Sequence, residues 1–160
     1  MQLSVLLSAS FVAVTLASPP AINLGYFSYP HTNEFVAWSP FTPTATQELA
    51  EVCDAQGGFK GSATWTSIRT ASTYVYEPIC RNPFNVTDVV TNTTYYDLEL
   101  ACVDDNIDLA ARPEVTAVVD RATNKEIETC VPVLKEDGTS WYETCGDFRS
   151  GLDYAFACSA

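Results

Sequence analysis

The stretch TPTATQELAEVCDAQGG, residues 42–58, predicts the one helix of the chain. Thr44 with Gln47 three residues later forms a capping box, and Thr42 with Pro43 in the first turn is an alternative start. Apolar and cysteine positions recur at helical spacing and define one face: Ala45, Leu49, Val52, Cys53 and Gln56. Two glycines follow Gln56 and end the helix, because glycine accepts a left-handed conformation. We therefore predict a helix from Thr44 to Gln56.

Alternating apolar and polar residues predict strands on both sides of this helix. A first strand is expected at residues 34–38. After the helix, residues 59–66 and 73–77 form a predicted hairpin, whereas residues 81–92 have the turn signals of a long loop. Further strands are predicted at residues 95–102, 115–121, 126–131 and 141–145, and from Gly151 onward.

The strand that begins at Gly151 places four alternate residues on one predicted face: Leu152, Tyr154, Phe156 and Cys158. A different pattern precedes it at residues 104–108, where oxygen side chains at alternate positions resemble the opening of a calcium loop. Leu109 and Val115 stand where that loop needs glycine and glutamate. We therefore predict a helical turn that ends before Pro113, with Asp104 or Asp105 as its cap.

Together these elements predict an α+β fold. Its antiparallel sheet carries one packed helix and is stapled by disulfides. The alternative is a mainly-β sandwich or barrel.

The first 17 residues, from Met1 to Ala17, have the apolar run and small residues of a secretory signal peptide. The run is shorter than the roughly 20 residues that span a bilayer, so we expect no membrane span. Residues 18–160 then form a single secreted, extracellular domain.

Six cysteines in an exported chain predict three disulfides: Cys53, Cys80, Cys102, Cys130, Cys145 and Cys158. Cys53 on the helix face is expected to tie the helix to the sheet. A hairpin loop over residues 136–139 would pair Lys135 with Ser140 and place Cys130 opposite Cys145, within disulfide reach. The connectivity of the remaining four cysteines stays open. Their spacing does not favour a metal site, and no cofactor is expected.

Two sequons, at Asn85 and Asn92, predict glycosylation on a surface loop. The formal net charge is −12, and the eight basic residues are scattered. A phosphate backbone would be repelled, so nucleic acid is an unexpected partner.

No catalytic motif is evident. His31 is the only histidine, no Gly-x-Ser-x-Gly motif is present, and a catalytic carboxylate pair is not identifiable from sequence. We expect no catalysis. Five aromatic residues on predicted strands are candidates for a contact surface, with core packing as the alternative: Trp65, Tyr74, Tyr76, Trp141 and Tyr142.

The leader, the domain size, the dispersed cysteines and the acidity resemble the small secreted cysteine-rich proteins of filamentous fungi, many of which are effectors. The cysteine-bearing helix, followed by Gly57-Gly58 and sheet, is similar in layout to α+β fungal avirulence proteins. The resemblance implies an exported protein that acts through binding at a host or wall surface. We expect a monomer whose partner is a protein or glycan at that surface. The alternatives are a carbohydrate-binding module of the cell-wall type and a small secreted hydrolase or nuclease.

Overall fold

The fold is described from a computed structural model for residues 20–30, 32–54, 59–60, 63–72, 78–146 and 149–160; of residues 54, 59–60, 63–65 and 69–72 only the backbone is described. Within these ranges lie ten strands: β1 Ile22–Ser28, β2 Thr32–Pro40, β3 Phe59–Lys60, β4 Ala63–Ser72, β5 Phe84–Asp88, β6 Thr93–Cys102, β7 Val115–Asp120, β8 Lys125–Pro132, β9 Trp141–Cys145 and β10 Ser150–Ser159. The α-helix α1 is Leu49–Asp54, and two 3₁₀ helices are Thr46–Glu48 and Leu109–Ala111.

The strands form one antiparallel sheet that curls into a nearly closed barrel. Their order is β3-β4-β2-β1-β10-β8-β7-β6-β5, with β9 also pairing with β10. The barrel nearly closes because β5, at one end of this order, contacts β4 and β2 near the other end. The antiparallel sheet and the packed helix of the α+β expectation are present, but the architecture is closer to the mainly-β barrel alternative.

Apolar side chains pack on both faces of the curled sheet. Because successive residues of a strand point to opposite faces, β2 sends Phe35 and Ala37 into the barrel interior and Val36 and Trp38 into a layer beneath α1. The helix contributes Leu49, Val52 and Cys53 to this outer layer, where they exclude water from the sheet. The barrel interior and the outer layer are thus separate cores that share β1, β2 and β10.

β10 changes face at a β-bulge. Its pairing with β1 skips one residue, Ala155. An extra residue on one strand reverses the alternation beyond it. Leu152 and Tyr154 therefore pack beneath α1, whereas Phe156 and Cys158 face the barrel interior. The prediction that these four side chains share one face is wrong, although all four are buried.

The α-helix begins later than predicted, at Leu49 after a 3₁₀ turn, and its start is held differently. The carboxylate of Glu48, rather than the side chain of Gln47, accepts bonds from the amide and the hydroxyl of Thr44, at 2.6 and 3.0 Å. These bonds hold the pKa of Glu48 below its ordinary value. Ala45, the residue before the first 3₁₀ turn, makes no side-chain cap. Residues 55–58, which include the predicted end of the helix at Gln56, lie outside the described residues.

Most of the predicted strands are confirmed. Residues 34–38 lie in β2, and the strands after residue 93 match β6 to β10 within a few residues. The single strand predicted at residues 59–66 is wrong, because β3 pairs antiparallel with the start of β4. The hairpin between residues 59–66 and 73–77 is not assessed, since 73–77 lie outside the described residues. β4 pairs instead with β2 and β3.

Two strands occupy segments for which no strand was predicted. β5 lies within residues 81–92, so the predicted long loop is wrong there. The turn signal of Asn82-Pro83 is real, but it precedes a short strand that buries Phe84 and Val86. β1 was also missed, although Ile22, Leu24 and Tyr26 alternate with Asn23 and Gly25 in the sequence. Four consecutive residues of this strand, 22–25, are buried.

The predicted helical turn before Pro113 is confirmed as the 3₁₀ helix Leu109–Ala111. Its cap is Asp108, whose carboxylate accepts a bond of 3.1 Å from the amide of Ala111. Asp104 and Asp105 are therefore not the cap. The Asp104 side chain bonds the amide of Asn106, as in a tight turn.

All six cysteines lie among the described residues and form three disulfides, as predicted. The pairs are Cys53–Cys145, Cys80–Cys102 and Cys130–Cys158. The first joins α1 to β9, which confirms that Cys53 ties the helix to the sheet. The predicted bridge between Cys130 and Cys145 is wrong.

The position of β10 explains why Cys130 does not pair with Cys145. β8 and β9 do not form a hairpin ladder, because they lie end to end along the same edge of β10. Cys130 is directly opposite Cys158 in the β8–β10 ladder. The connection between β8 and β9 closes at the pair Leu134 and Ser140, one residue away from the predicted register.

Candidate binding site

Three side chains line up across the strands at one mouth of the barrel. Tyr26 of β1 is directly opposite Asp153 of β10, and Asp153 is directly opposite Tyr142 of β9. The order across the sheet is therefore aromatic, carboxylate, aromatic. Directly opposed residues of adjacent strands lie within side-chain contact distance. The hydrogen-bond ladders fix this row, so its geometry does not depend on a flexible loop.

Gly151 makes room for the ring of Tyr142. Gly151 lies on β10 two residues before Asp153, diagonally across from Tyr142. A methyl group at this position would collide with the phenol of Tyr142. The absence of a side chain therefore allows the ring to lie across β10, where half of the tyrosine surface remains exposed.

The Arg112 side chain lies over the row formed by Tyr26, Asp153 and Tyr142, and contacts the first two. Arg112 follows the 3₁₀ helix Leu109–Ala111 in a left-handed conformation, with φ of 54°. Its guanidinium forms an ion pair with Asp153 and lies 4.6 Å from the centre of the Tyr26 ring. Asp153 is buried, and the Arg112 side chain is 56% exposed. The pair is thus anchored on the protein side and open on the solvent side.

Tyr26 belongs to the same cluster and donates a hydrogen bond. Its hydroxyl lies 3.5 Å from the backbone carbonyl of Pro113, to which it donates. Burial raises the pKa of Tyr26 above its ordinary value, Arg112 opposes that rise, and Asp153 adds to it. The hydroxyl therefore stays protonated at neutral pH. Its ring also packs edge-on against Phe35 in the interior, at 4.8 Å between ring centres.

A cavity of about 270 Å³ opens between the row and the Arg112 segment. Its described lining is Tyr26, Phe27, Ser28, Asn33, Leu109, Ala110, Arg112, Tyr142 and Asp153. Leu109 is buried in the interior core and closes the inner end. The cavity therefore combines an aromatic side chain with donors and acceptors, as ligand sites at barrel mouths do.

The aromatic contact residues predicted from sequence do not form one platform. Trp141 and Tyr142 are neighbours on β9 and point to opposite faces, so Trp141 packs beneath α1, 6.2 Å from the ring of Tyr154. Tyr142 alone of these two reaches the mouth. Trp65 lies on β4, but its side chain is not described, and Tyr74 and Tyr76 lie outside the described residues.

The metal-ligand and histidine candidates from the sequence do not form a site among the described residues. The one group of three metal-type ligands in it is Cys80, Cys102 and Asp105. The two sulfurs are joined in a disulfide, so they are not thiolate ligands. Asp105 pairs with Arg81. His31 lies outside the described residues.

Both sequon asparagines are exposed. Asn85 lies on β5, rather than on a loop, and its side-chain oxygen accepts a bond of 3.0 Å from the amide of Asp97. That bond uses the oxygen and not the nitrogen to which a glycan is attached. Asn92 lies at the turn before β6, in a left-handed conformation with φ of 52°.

At the β8 side of the barrel lies a buried acid, Glu128. It is 1% exposed, and one carboxylate oxygen accepts a bond of 3.2 Å from the amide of Ile22. Among the described residues, the other oxygen has no hydrogen-bond partner. Burial raises the pKa of Glu128 to about 8, against the smaller lowering by the Ile22 amide.

In the described ranges, no helix has the length and apolar character needed to cross a bilayer. Comparison of the chain with protein-family models, with curated proteins and with solved structures found no match. The site itself is therefore the basis for any statement about function.

Sequence reasoning identified Tyr142 but missed Tyr26, Arg112 and Asp153. The pairing of β1 with β10 and of β10 with β9 brings Tyr26, Asp153 and Tyr142 together. Arg112 reaches them from the segment after the 3₁₀ helix Leu109–Ala111. Local sequence carries a weak signal for Arg112 alone, because a residue before proline is disfavoured in a helix and Pro113 follows it. No local pattern indicates that Asp153 faces it.

Proposed function

We propose that this is a secreted, effector-like binding protein that acts through contacts with a partner at a host or wall surface, and that the mouth of the barrel is its contact site. The observation that carries the proposal is the constellation of Tyr142, Arg112 and Asp153. An exposed tyrosine beside a partly exposed arginine is typical of the residues that dominate binding energy.

The scaffold supports this proposal because it holds the site rigidly. Tyr142 is on a strand, and β9 is tied to α1 by the Cys53–Cys145 disulfide. Asp153 is on the central strand β10, which pairs along both edges. A site on rigid elements loses little conformational entropy on binding.

The cavity lining favours binding over hydrolysis. Among its described residues Asp153 is the one carboxylate, and it is engaged by Arg112. Glycoside cleavage needs two carboxyl groups facing the scissile bond. An acid held by an arginine is also poorly placed to deliver a proton.

The test is saturable retention of the purified, disulfide-bonded protein on cell-wall and intact-cell preparations. We expect Tyr142→Ala to weaken retention by roughly tenfold or more, as loss of an anchoring aromatic does. The matched control is Tyr96→Ala, which removes another tyrosine that is 70% exposed, on β6. It is expected to bind like the wild type.

Two results would overturn the proposal. One is equal retention of the wild type and the Tyr142→Ala variant. The other is turnover of polysaccharide or RNA by the wild type that Asp153→Asn abolishes, which would favour the hydrolase alternative.

A further inference from the structure

We propose that the ligand of the barrel mouth is a neutral saccharide, bound through a single pyranose ring that stacks on Tyr142 beside the Arg112–Asp153 pair. This inference rests on the proposed binding function and specifies its ligand class. It places sugar binding at the barrel mouth and not on the tryptophans Trp65 and Trp141.

The charges of the site argue for a neutral ligand. Arg112 is the cation that lines the described cavity, and its charge is compensated by Asp153. An anionic ligand would have to replace Asp153 as the partner of Arg112, which leaves a buried carboxylate unpaired. A cationic ligand would have to replace Arg112 in the same way. A neutral ligand leaves the ion pair intact, and the net charge of −12 further disfavours anions.

The shape and polarity of the lining fit a sugar ring. A pyranose has a face of C–H groups that stacks on an aromatic ring, and a rim of hydroxyls that both donate and accept hydrogen bonds. Tyr142 offers the half-exposed ring. Around it are the guanidinium of Arg112, the carboxylate of Asp153 and the amide of Asn33, which supply both kinds of hydrogen-bonding group.

The size of the cavity suits a single sugar ring. Sites for drug-sized molecules enclose roughly 300–1,000 Å³. The volume of about 270 Å³ falls just below that range. This volume has room for one residue of an oligosaccharide, and the exposed side of Arg112 leaves a path along which the rest of the sugar chain extends into solvent.

The experiment is titration of the ¹⁵N-labelled, disulfide-bonded protein with neutral tetrasaccharides of glucose, mannose and N-acetylglucosamine, and with anionic tetragalacturonate. At least one neutral tetrasaccharide is expected to shift the amide signals of Tyr142, Asp153 and Arg112. Tyr142→Ala is expected to weaken that binding by roughly tenfold or more, and Tyr96→Ala to leave it unchanged.

Because Asp153 compensates the charge of Arg112, the site is also predicted to discriminate against anionic ligands. Wild-type protein is expected to bind tetragalacturonate at least tenfold more weakly than the neutral ligand. Asp153→Asn frees Arg112 while preserving the shape of the side chain, so it is expected to raise affinity for the anion.

The outcomes separate the two proposals. If the wild type is not retained on any surface preparation, the binding function fails. If it is retained but none of the neutral tetrasaccharides shifts the mouth residues or competes for retention, the saccharide inference alone is wrong. Binding of the anion equal to that of the neutral ligands would also overturn it.

Discussion

At the scale of a single residue, Glu128 makes the stability of the protein depend on pH. Its pKa is about 8 in the folded protein, against an ordinary value of 4.5. Between these values the unfolded chain has lost a proton that the folded protein retains. The contribution to the free energy of unfolding is therefore full below pH 4.5 and decreases as pH rises to about 8, by up to about 1.4 kcal/mol per pH unit.

Glu128→Gln is expected to remove this dependence, because the amide retains an acceptor for the Ile22 amide but does not ionise. Urea unfolding at pH 4, 6 and 8 measures the effect: the gap between variant and wild type should grow in the variant's favour as pH rises. Glu126→Gln is the control, since this exposed neighbour lies on the same strand. Parallel pH profiles for wild type and Glu128→Gln would show that Glu128 ionises normally.

At the scale of the element, α1 depends on its disulfide. Its described part, Leu49–Asp54, has six residues, and a helix this short is not stable by itself in water. The Cys53–Cys145 bridge spans 92 residues of sequence, and in the chain-entropy model it stabilises the fold by roughly 4–5 kcal/mol.

Replacing Cys53 and Cys145 together by serine is therefore expected to lower stability and to accelerate amide hydrogen exchange in α1 and β9 before it affects β6 and β7. The matched control replaces Cys80 and Cys102 by serine. Their 22-residue separation predicts a smaller loss of stability, and faster amide hydrogen exchange is expected near β5. Unchanged protection of α1 without its bridge would mean that packing alone holds the helix.

At the scale of the whole molecule, we expect an exported chain that is fully disulfide-bonded and glycosylated. Intact mass of protein from a eukaryotic secretion host is expected to show a chain that starts after Ala17, with six cysteines unreactive to alkylation. Glycosidase treatment should lower the mass, and Asn85→Gln and Asn92→Gln should each remove one glycan, because both side chains are exposed. An alkylated cysteine in the native protein, or no mass change with glycosidase, would contradict this expectation.

The sequence by itself determined the features that depend on near neighbours along the chain. The β7–β8 hairpin, β9 and the start of β10 follow from alternation over a few residues, and the turn before Pro113 follows from local backbone preferences. The side of the helix that carries Cys53 was predictable for the same reason. Even with the start of the α-helix misplaced, the 3.6-residue period identified the face that packs on the sheet.

Only the tertiary structure decided which distant residues meet. The pairing of β8 with β10 placed Cys130 opposite Cys158, and the extra residue Ala155 set which core each side chain of β10 enters. The pairing of β10 with β1 and β9 brought Tyr26, Asp153 and Tyr142 into one row. Strand order arises from burial summed over the whole sheet, and no short window of sequence contains that sum.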